Sequence, residues 1–129
     1  MFQINQTWEK TWKINKKLYS QFLDISKDYN PMHTDPDFAK SFGFKDKIIH
    51  GNILQLFISY FVGEMLPKKN LIIISQKIRY LKPIYLNQNI VLKSKLKSFN
   101  ETMGLLEFEI AFKASRAKIA EGKVDVKIL

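Results

Sequence analysis

One strand, then helices, then four more strands: the sequence predicts an α+β fold whose antiparallel sheet curves around one helix. Three observations carry that expectation. Trp8, Trp12 and Ile14 alternate with Thr7, Glu9, Thr11 and Lys13, the period of a half-buried strand. Residues 53–66 (ILQLFISYFVGEML) are apolar on nearly every side, as in a buried helix. Four later runs, Leu71–Ile84, Ile90–Phe99, Leu105–Lys113 and Ala117–Ile128, have strand character and are separated by turns containing Asn, Gly or Ser. A helix with so little polar surface needs a wrapping, and a five-stranded sheet supplies it.

The elements follow in order. In the first strand Lys10 is an exception on the inner face. From Leu18 the period changes, and Leu18, Phe22, Ile25 and Tyr29 fall on one face of an amphipathic helix. That helix stops near Asn30, because Pro31 turns the residue before it away from α geometry. Asp35-Pro36 reads as an N-cap with Pro at the first helical position, opening a short helix that Gly43 ends. Along this helix and the residue before it, the polar exceptions Asn52, Gln55 and Ser59 form one narrow stripe with Gly63, and each needs a hydrogen-bond partner if buried. In the sheet, Lys93, Lys95 and Lys97 alternate with apolar residues, as do Glu107 and Glu109. A hairpin closed at Asn100–Gly104 puts both rows on one solvent face, where they pair across strands.

With 129 residues the chain has room for one domain, expected over 1–129. Cys is absent, which excludes a disulfide framework, a thiolate zinc site and a Cys nucleophile. His33 and His50 are the only histidines, so a zinc site would also need carboxylates; none is expected. The net charge of +9 is uneven, with 13 basic and 6 acidic residues after position 50. Such a balance suits a phosphorylated or acidic partner. Nucleic acid is not expected, since no aromatic residues interleave the lysines to make a stacking platform. No apolar run reaches membrane length and the N-terminus lacks a signal-peptide core, so a cytoplasmic protein without membrane contact is expected.

Chemistry concentrates between the first two helices. Asp28 and His33 stand five residues apart across a Pro-stiffened turn, and an imidazole beside a carboxylate can hold one water as an acid–base pair. At the C-terminal end of a helix, the macrodipole is expected to raise the pKa of Asp28. Alternatively, Asp28 and Asn30 satisfy turn amides and His33 caps a carbonyl. The second element is His50-Gly51-Asn52, leading into the apolar helix. Free N–H groups at a helix start form an oxyanion site, and Gly51 permits close approach of a ligand; otherwise Gly51 only allows tight packing. His50 is read as structural, orienting the turn. Ser59 bonds either a catalytic carboxylate or the Gln55 carbonyl.

Together the runs Ser26-Lys27-Asp28-Tyr29-Asn30-Pro31-Met32-His33-Thr34-Asp35-Pro36, Ile48-Ile49-His50-Gly51 and Arg79-Tyr80-Leu81-Lys82-Pro83-Ile84 resemble the signature of MaoC-like dehydratases. The (R)-specific enoyl-CoA hydratases are the most similar in pattern. The resemblance implies a hot-dog fold, a five-stranded antiparallel sheet around a central helix, paired as a homodimer. It implies Asp28 and His33 as the catalytic pair, Gly51 as the amide that polarises the thioester carbonyl, and Asn30 as loop support. Ser59 corresponds to a helix Ser that bonds near the catalytic Asp. Three positions depart from the pattern. Lys27 stands for the usual Gly, changing the loop conformation. Asn87-Gln88 stand for Gly-Asp. Asn52 stands for an apolar residue and favours a short or polar acyl group.

The implied activity is reversible hydration of a 2-enoyl thioester to the (R)-3-hydroxyacyl thioester, without metal or redox cofactor. The carrier is coenzyme A or an acyl carrier protein. In this reading Asp28 takes the proton of the water. The alternative is a hot-dog module that binds an acyl thioester without turning it over.

Overall fold

The computed structural model describes every residue from Met1 to Leu129. The elements are β1 (Thr7–Lys13), α1 (Lys16–Ser26), α2 (Pro31–Thr34), α3 (Pro36–Ser41), α4 (Ile53–Tyr60), β2 (Leu71–Tyr80), β3 (Asn89–Asn100), β4 (Leu105–Ala114) and β5 (Ala117–Ile128). The sheet is antiparallel throughout, in the order β1-β3-β4-β5-β2. This is the expected α+β architecture, with α4 as the central helix.

Aromatic rings fasten α4 to the sheet. Trp12 stacks on Phe57 with ring centroids 4.4 Å apart. Trp8 meets Phe61 and Phe108 edge-on at 5.8 and 5.6 Å. Edge-to-face pairs of this kind add to the burial of the rings themselves. Leu92, Leu96, Phe108, Ile110, Phe112 and Val124 complete the inner face, all buried. Lys10, the exception in β1, places its ammonium 5.3 Å from the centroid of the Tyr60 ring. A cation over an aromatic face is a favourable resting place.

Four local features depart from the sequence expectations. The helix α1 ends at Ser26 rather than near Asn30, so Tyr29 lies beyond it and Ile25 is 85% exposed. The residue it buries is Tyr19. The segment after Asn30, expected as a loop, contains the short helix α2, capped by the Asn30 side chain accepting from the Met32 N–H. β2 stops at Tyr80 rather than Ile84, because the Leu81 and Lys82 amides both turn to the Ile119 carbonyl and Pro83 has no N–H to extend the ladder. Residues 53–66 are not buried all round. α-Helical geometry gives way to a π-helical turn at Phe61–Met65, and Gln55, Leu56, Ser59 and Tyr60 face outward. The sheet covers one side of the helix, and on the single chain Gln55 and Ser59 are open to water.

Two close approaches shape the sheet. At Gly122 any Cβ would overlap the Lys77 carbonyl oxygen, so only glycine lets β2 cross β5 this closely. Ser94, on the inner face of β3, is buried with its hydroxyl unpartnered. A buried hydroxyl without a hydrogen bond is a net loss. Ser94→Ala is therefore expected to raise stability by about 1 kcal/mol in urea unfolding; an equal or lower midpoint would contradict this.

Candidate active site

The loop after α1 is built by short-range polar contacts. Lys27 takes the left-handed conformation, φ 57°, and its N–H closes the helix on the Leu23 carbonyl. A glycine accepts that conformation freely, so Lys27 preserves a glycine-like turn instead of changing it. The Asp28 carboxylate accepts the Asn30 N–H at 3.2 Å, and the Asn30 carbonyl accepts from the His33 N–H at 2.8 Å. Asn30 thus supports the loop as its N-cap position requires.

Both histidines then meet Asp28. His33 places Nδ1 2.8 Å from the Ile48 carbonyl. A carbonyl only accepts, so the ring carries its proton on Nδ1 and turns an Nε2 lone pair to the site. His50, buried at 5% exposure, sets Nε2 3.1 Å from both the Asp28 carbonyl oxygen and its carboxylate Oδ2. Two acceptors fix the proton on Nε2. Its Nδ1 accepts from the Tyr19 hydroxyl at 2.8 Å. The imidazole rings stack on each other, centroids 3.7 Å apart.

The histidine read as structural from sequence therefore touches the carboxylate directly. Its signal was present in His50-Gly51, but only the fold shows that this turn reaches the loop after α1. Ser59 does not join the group. It lies on the exposed face of α4, lines no part of the pocket and forms no bond to Asp28, so His50 fills the supporting place expected of Ser59.

A pocket of about 480 Å³ opens beside these residues. Asp28, His33, His50, Gly51, Asn52 and Tyr80 all line it. The Gly51 N–H, just before α4, donates to no backbone group of the chain. The Tyr80 ring packs where a Cβ on Gly51 would stand, its Cε1 only 2.7 Å away. The Tyr80 hydroxyl reaches the Asn52 side-chain oxygen at 3.2 Å. Gly51 thus allows tight packing against Tyr80, and its amide stands without a backbone partner just before the helix.

Asp28, His33 and His50 offer three ligand atoms within 4.8 Å of one another. The geometry nevertheless suits a metal poorly. Ring lone pairs lie in the ring planes, and stacked planes inclined by only 25° run side by side rather than meeting at one ion. His50 Nε2 is also already committed as a donor.

The MaoC like domain model matches residues 3–115. The chain belongs to that family. The (R)-specific enoyl-CoA hydratase of Aeromonas caviae is 30% identical over 80 residues, a stretch covering 62% of this chain and 60% of that enzyme. The mitochondrial 3-hydroxyacyl-[acyl-carrier-protein] dehydratase of Arabidopsis thaliana is 21% identical over 91 residues, 70% of this chain and 54% of that one. The match thus spans less than two thirds of either relative. In fold the likeness is fuller: the (R)-hydratase structure from A. caviae superimposes with a TM-score of 0.90 over 99% of this chain and 98% of that one, at 22% identity. The fold is the hot-dog fold.

Electrostatics in this MaoC-like site differ from the expectation for Asp28. Its pKa is lowered, first by the Asn30 N–H bond and further by the two histidines, despite a modest opposing effect of burial. A hydrogen bond at 3.2 Å outweighs a helix dipole whose end the loop has already left. Burial lowers the His50 pKa, and the neighbouring His33 adds to this against the pull of Asp28. Burial also pushes the Tyr19 hydroxyl up to about 12, so it stays protonated and donates.

A histidine held neutral in the fold but free to protonate when unfolded stabilises fully above its ordinary value near 6.5 and less as pH falls toward its depressed folded value. His50→Gln is expected to cost about 1–3 kcal/mol at pH 7.5, since it disturbs bonds to Tyr19 and Asp28. The variant should also lose less stability than the native chain between pH 7.5 and 5.0. Parallel losses in urea unfolding at the two pH values would contradict the assignment.

Proposed function

We propose that this chain reversibly hydrates 2-enoyl thioesters to (R)-3-hydroxyacyl thioesters. The observation that carries the reading is the free His33 Nε2 lone pair beside an ionised Asp28, with an unpaired Gly51 amide in the same pocket. One water between Asp28 and His33 supplies both new substituents. His33 Nε2 takes one of its protons as the oxygen bonds to C3, and the electron pair of the double bond moves onto the thioester carbonyl. The Gly51 N–H receives the enolate oxygen that forms there. His33 then returns its proton to C2. The C–O and C–H bonds formed balance the O–H and π bonds broken.

Roles divide differently from the sequence expectation, in which Asp28 was the base. A carboxylate held below its usual range is a weak base but a good counter-ion for the imidazolium that forms beside it. Asp28 in this reading accepts the other hydrogen of the water and orients it. His50 fixes the carboxylate, and Asn30 fixes the loop.

Turnover of crotonyl-CoA, followed by loss of enone absorbance, tests the assignment. His33→Ala and Asp28→Asn are each expected to lower kcat by roughly 10²–10⁴ while remaining folded. Native rates in both variants would sink the proposed pair. Binding of the thioester without any turnover by the native chain would favour the non-catalytic module instead.

We also propose a homodimer. β2 is an edge strand with Ile72 and Ile74 exposed, and the adjoining face of α4 leaves Leu56 and Tyr60 open. Unpaired apolar edges invite pairing with a second copy. Sedimentation at micromolar concentration should give the dimer mass, and Ile74→Lys should give the monomer. A native monomer would contradict the proposal.

A further inference from the structure

The outer face of the sheet, away from α4, is not a random scatter of charge. The strand register aligns two rows across all five strands, Thr7–Lys95–Glu109–Lys123–Lys77 and Glu9–Lys93–Ala111–Glu121–Arg79. Between them lies a trough of about 750 Å³ whose lining includes six Lys or Arg residues and three Glu. The expected cross-strand pairing is only partly made. Lys93 pairs with Glu9 at 3.8 Å, and Glu109 turns diagonally to Lys97 at 3.9 Å. Glu121 is shared by Arg79 and Lys118. Lys95 and Lys77 have no carboxylate within ion-pair distance, and Lys123 stands directly opposite Lys77. Lys123 pairs with Glu107 at 3.6 Å, but like charges opposed across strands destabilise a sheet, and Lys77 and Lys95 are left without an ion pair inside the fold.

The trough adjoins the pocket. Arg79 lines the first and Tyr80 the second, and the β5 residues Lys118 and Glu121 flank Ile119, whose carbonyl holds the Leu81 and Lys82 amides at the pocket wall. We propose that this outer face docks an acidic acyl carrier protein, which presents its thioester arm past Tyr80 to the pocket. The inference rests on the hydratase reading and names the carrier of its substrate.

Three features favour a protein over a free nucleotide carrier. The rows cross four inter-strand gaps of about 4.8 Å, or roughly 19 Å, the scale of a protein patch. The interleaved glutamates suit a surface of mixed but mainly acidic charge, whereas a polyphosphate would meet them as repulsion. No aromatic side chain faces outward from the two rows to stack a base. Pairing two copies along β2 extends the sheet in its own plane and leaves this face open. A further copy of this chain, at net +9, would meet the face mainly with like charge.

The test compares crotonyl-CoA with a crotonyl-loaded bacterial acyl carrier protein as substrates for the native chain and for Lys77→Glu/Lys95→Glu. Lys16→Glu/Lys17→Glu, on exposed α1, makes the same change in net charge elsewhere. Expected is a loss of tenfold or more in kcat/KM for the carrier-borne substrate only in the sheet variant, carried mainly by KM and reproduced in the native chain by added salt. CoA turnover should stay within twofold in all three proteins. Equal effects of the two double variants, or a carrier-borne rate insensitive to both, would overturn the docking surface while leaving the hydratase reading intact. If neither thioester is turned over, the hydratase reading fails. Fluorescence anisotropy of the labelled carrier protein then decides docking alone: binding lost only in the sheet variant supports it, and no binding to the native chain overturns it.

Discussion

The bond from His50 Nε2 to Asp28 joins two parts of the chain that sequence keeps apart. One is the loop leaving α1; the other is the turn entering α4. Without it, the Asp28 carboxylate would be held only by the Asn30 N–H of its own turn. With it, both the carbonyl and the carboxylate of Asp28 are held by one donor. The donor is itself held, because the Tyr19 hydroxyl occupies Nδ1 and leaves the proton on Nε2. The burial of His50 makes any bond lost from this network costly, which favours one arrangement.

That constraint explains why the site can combine opposed requirements. Stacked imidazoles 3.7 Å apart disfavour two simultaneous positive charges, and burial already disfavours charge on His50. In the proposed hydration the proton taken from water therefore belongs on His33, which lines the pocket. Asp28 stays half-exposed and ionised, close enough to stabilise that charge. In the same pocket, α4 begins without a side-chain cap and leaves the Gly51 amide unused by the backbone. The aromatic packing of Trp12 on Phe57 anchors the same helix to the sheet, so the amide and the acid–base pair are referred to one rigid core.

The parts of this arrangement legible in the sequence were those with a local signature. Period-two patterning placed the Lys and Glu rows of β3 and β4 on one face, and Asp35-Pro36 opened α3 as its cap residues dictate. The Asp28 and His33 spacing located the pocket. What escaped needed tertiary contacts. Of the helical stripe, Leu18 and Phe22 pack against the core beside the buried Tyr19, while Ile25 in the last turn is exposed and Tyr29 lies beyond the helix. The open face of α4 was hidden because a run of apolar residues does not say how far a sheet wraps. The dipole argument for Asp28 used the helix alone and missed the Asn30 amide and the two imidazoles. Ser59 carries the expected residue type at the expected spacing, yet it is exposed and lies outside the pocket that Asp28 lines.

The division of roles between the two histidines depends on their tautomers. Long-range proton–nitrogen correlation NMR on the imidazole rings at pH 7.5 reads it directly, through the distinct shifts of protonated and bare ring nitrogens. The account predicts two different neutral rings, His33 protonated on Nδ1 with Nε2 bare and His50 protonated on Nε2 with Nδ1 bare. A proton on Nε2 of His33, or on Nδ1 of His50, would contradict it.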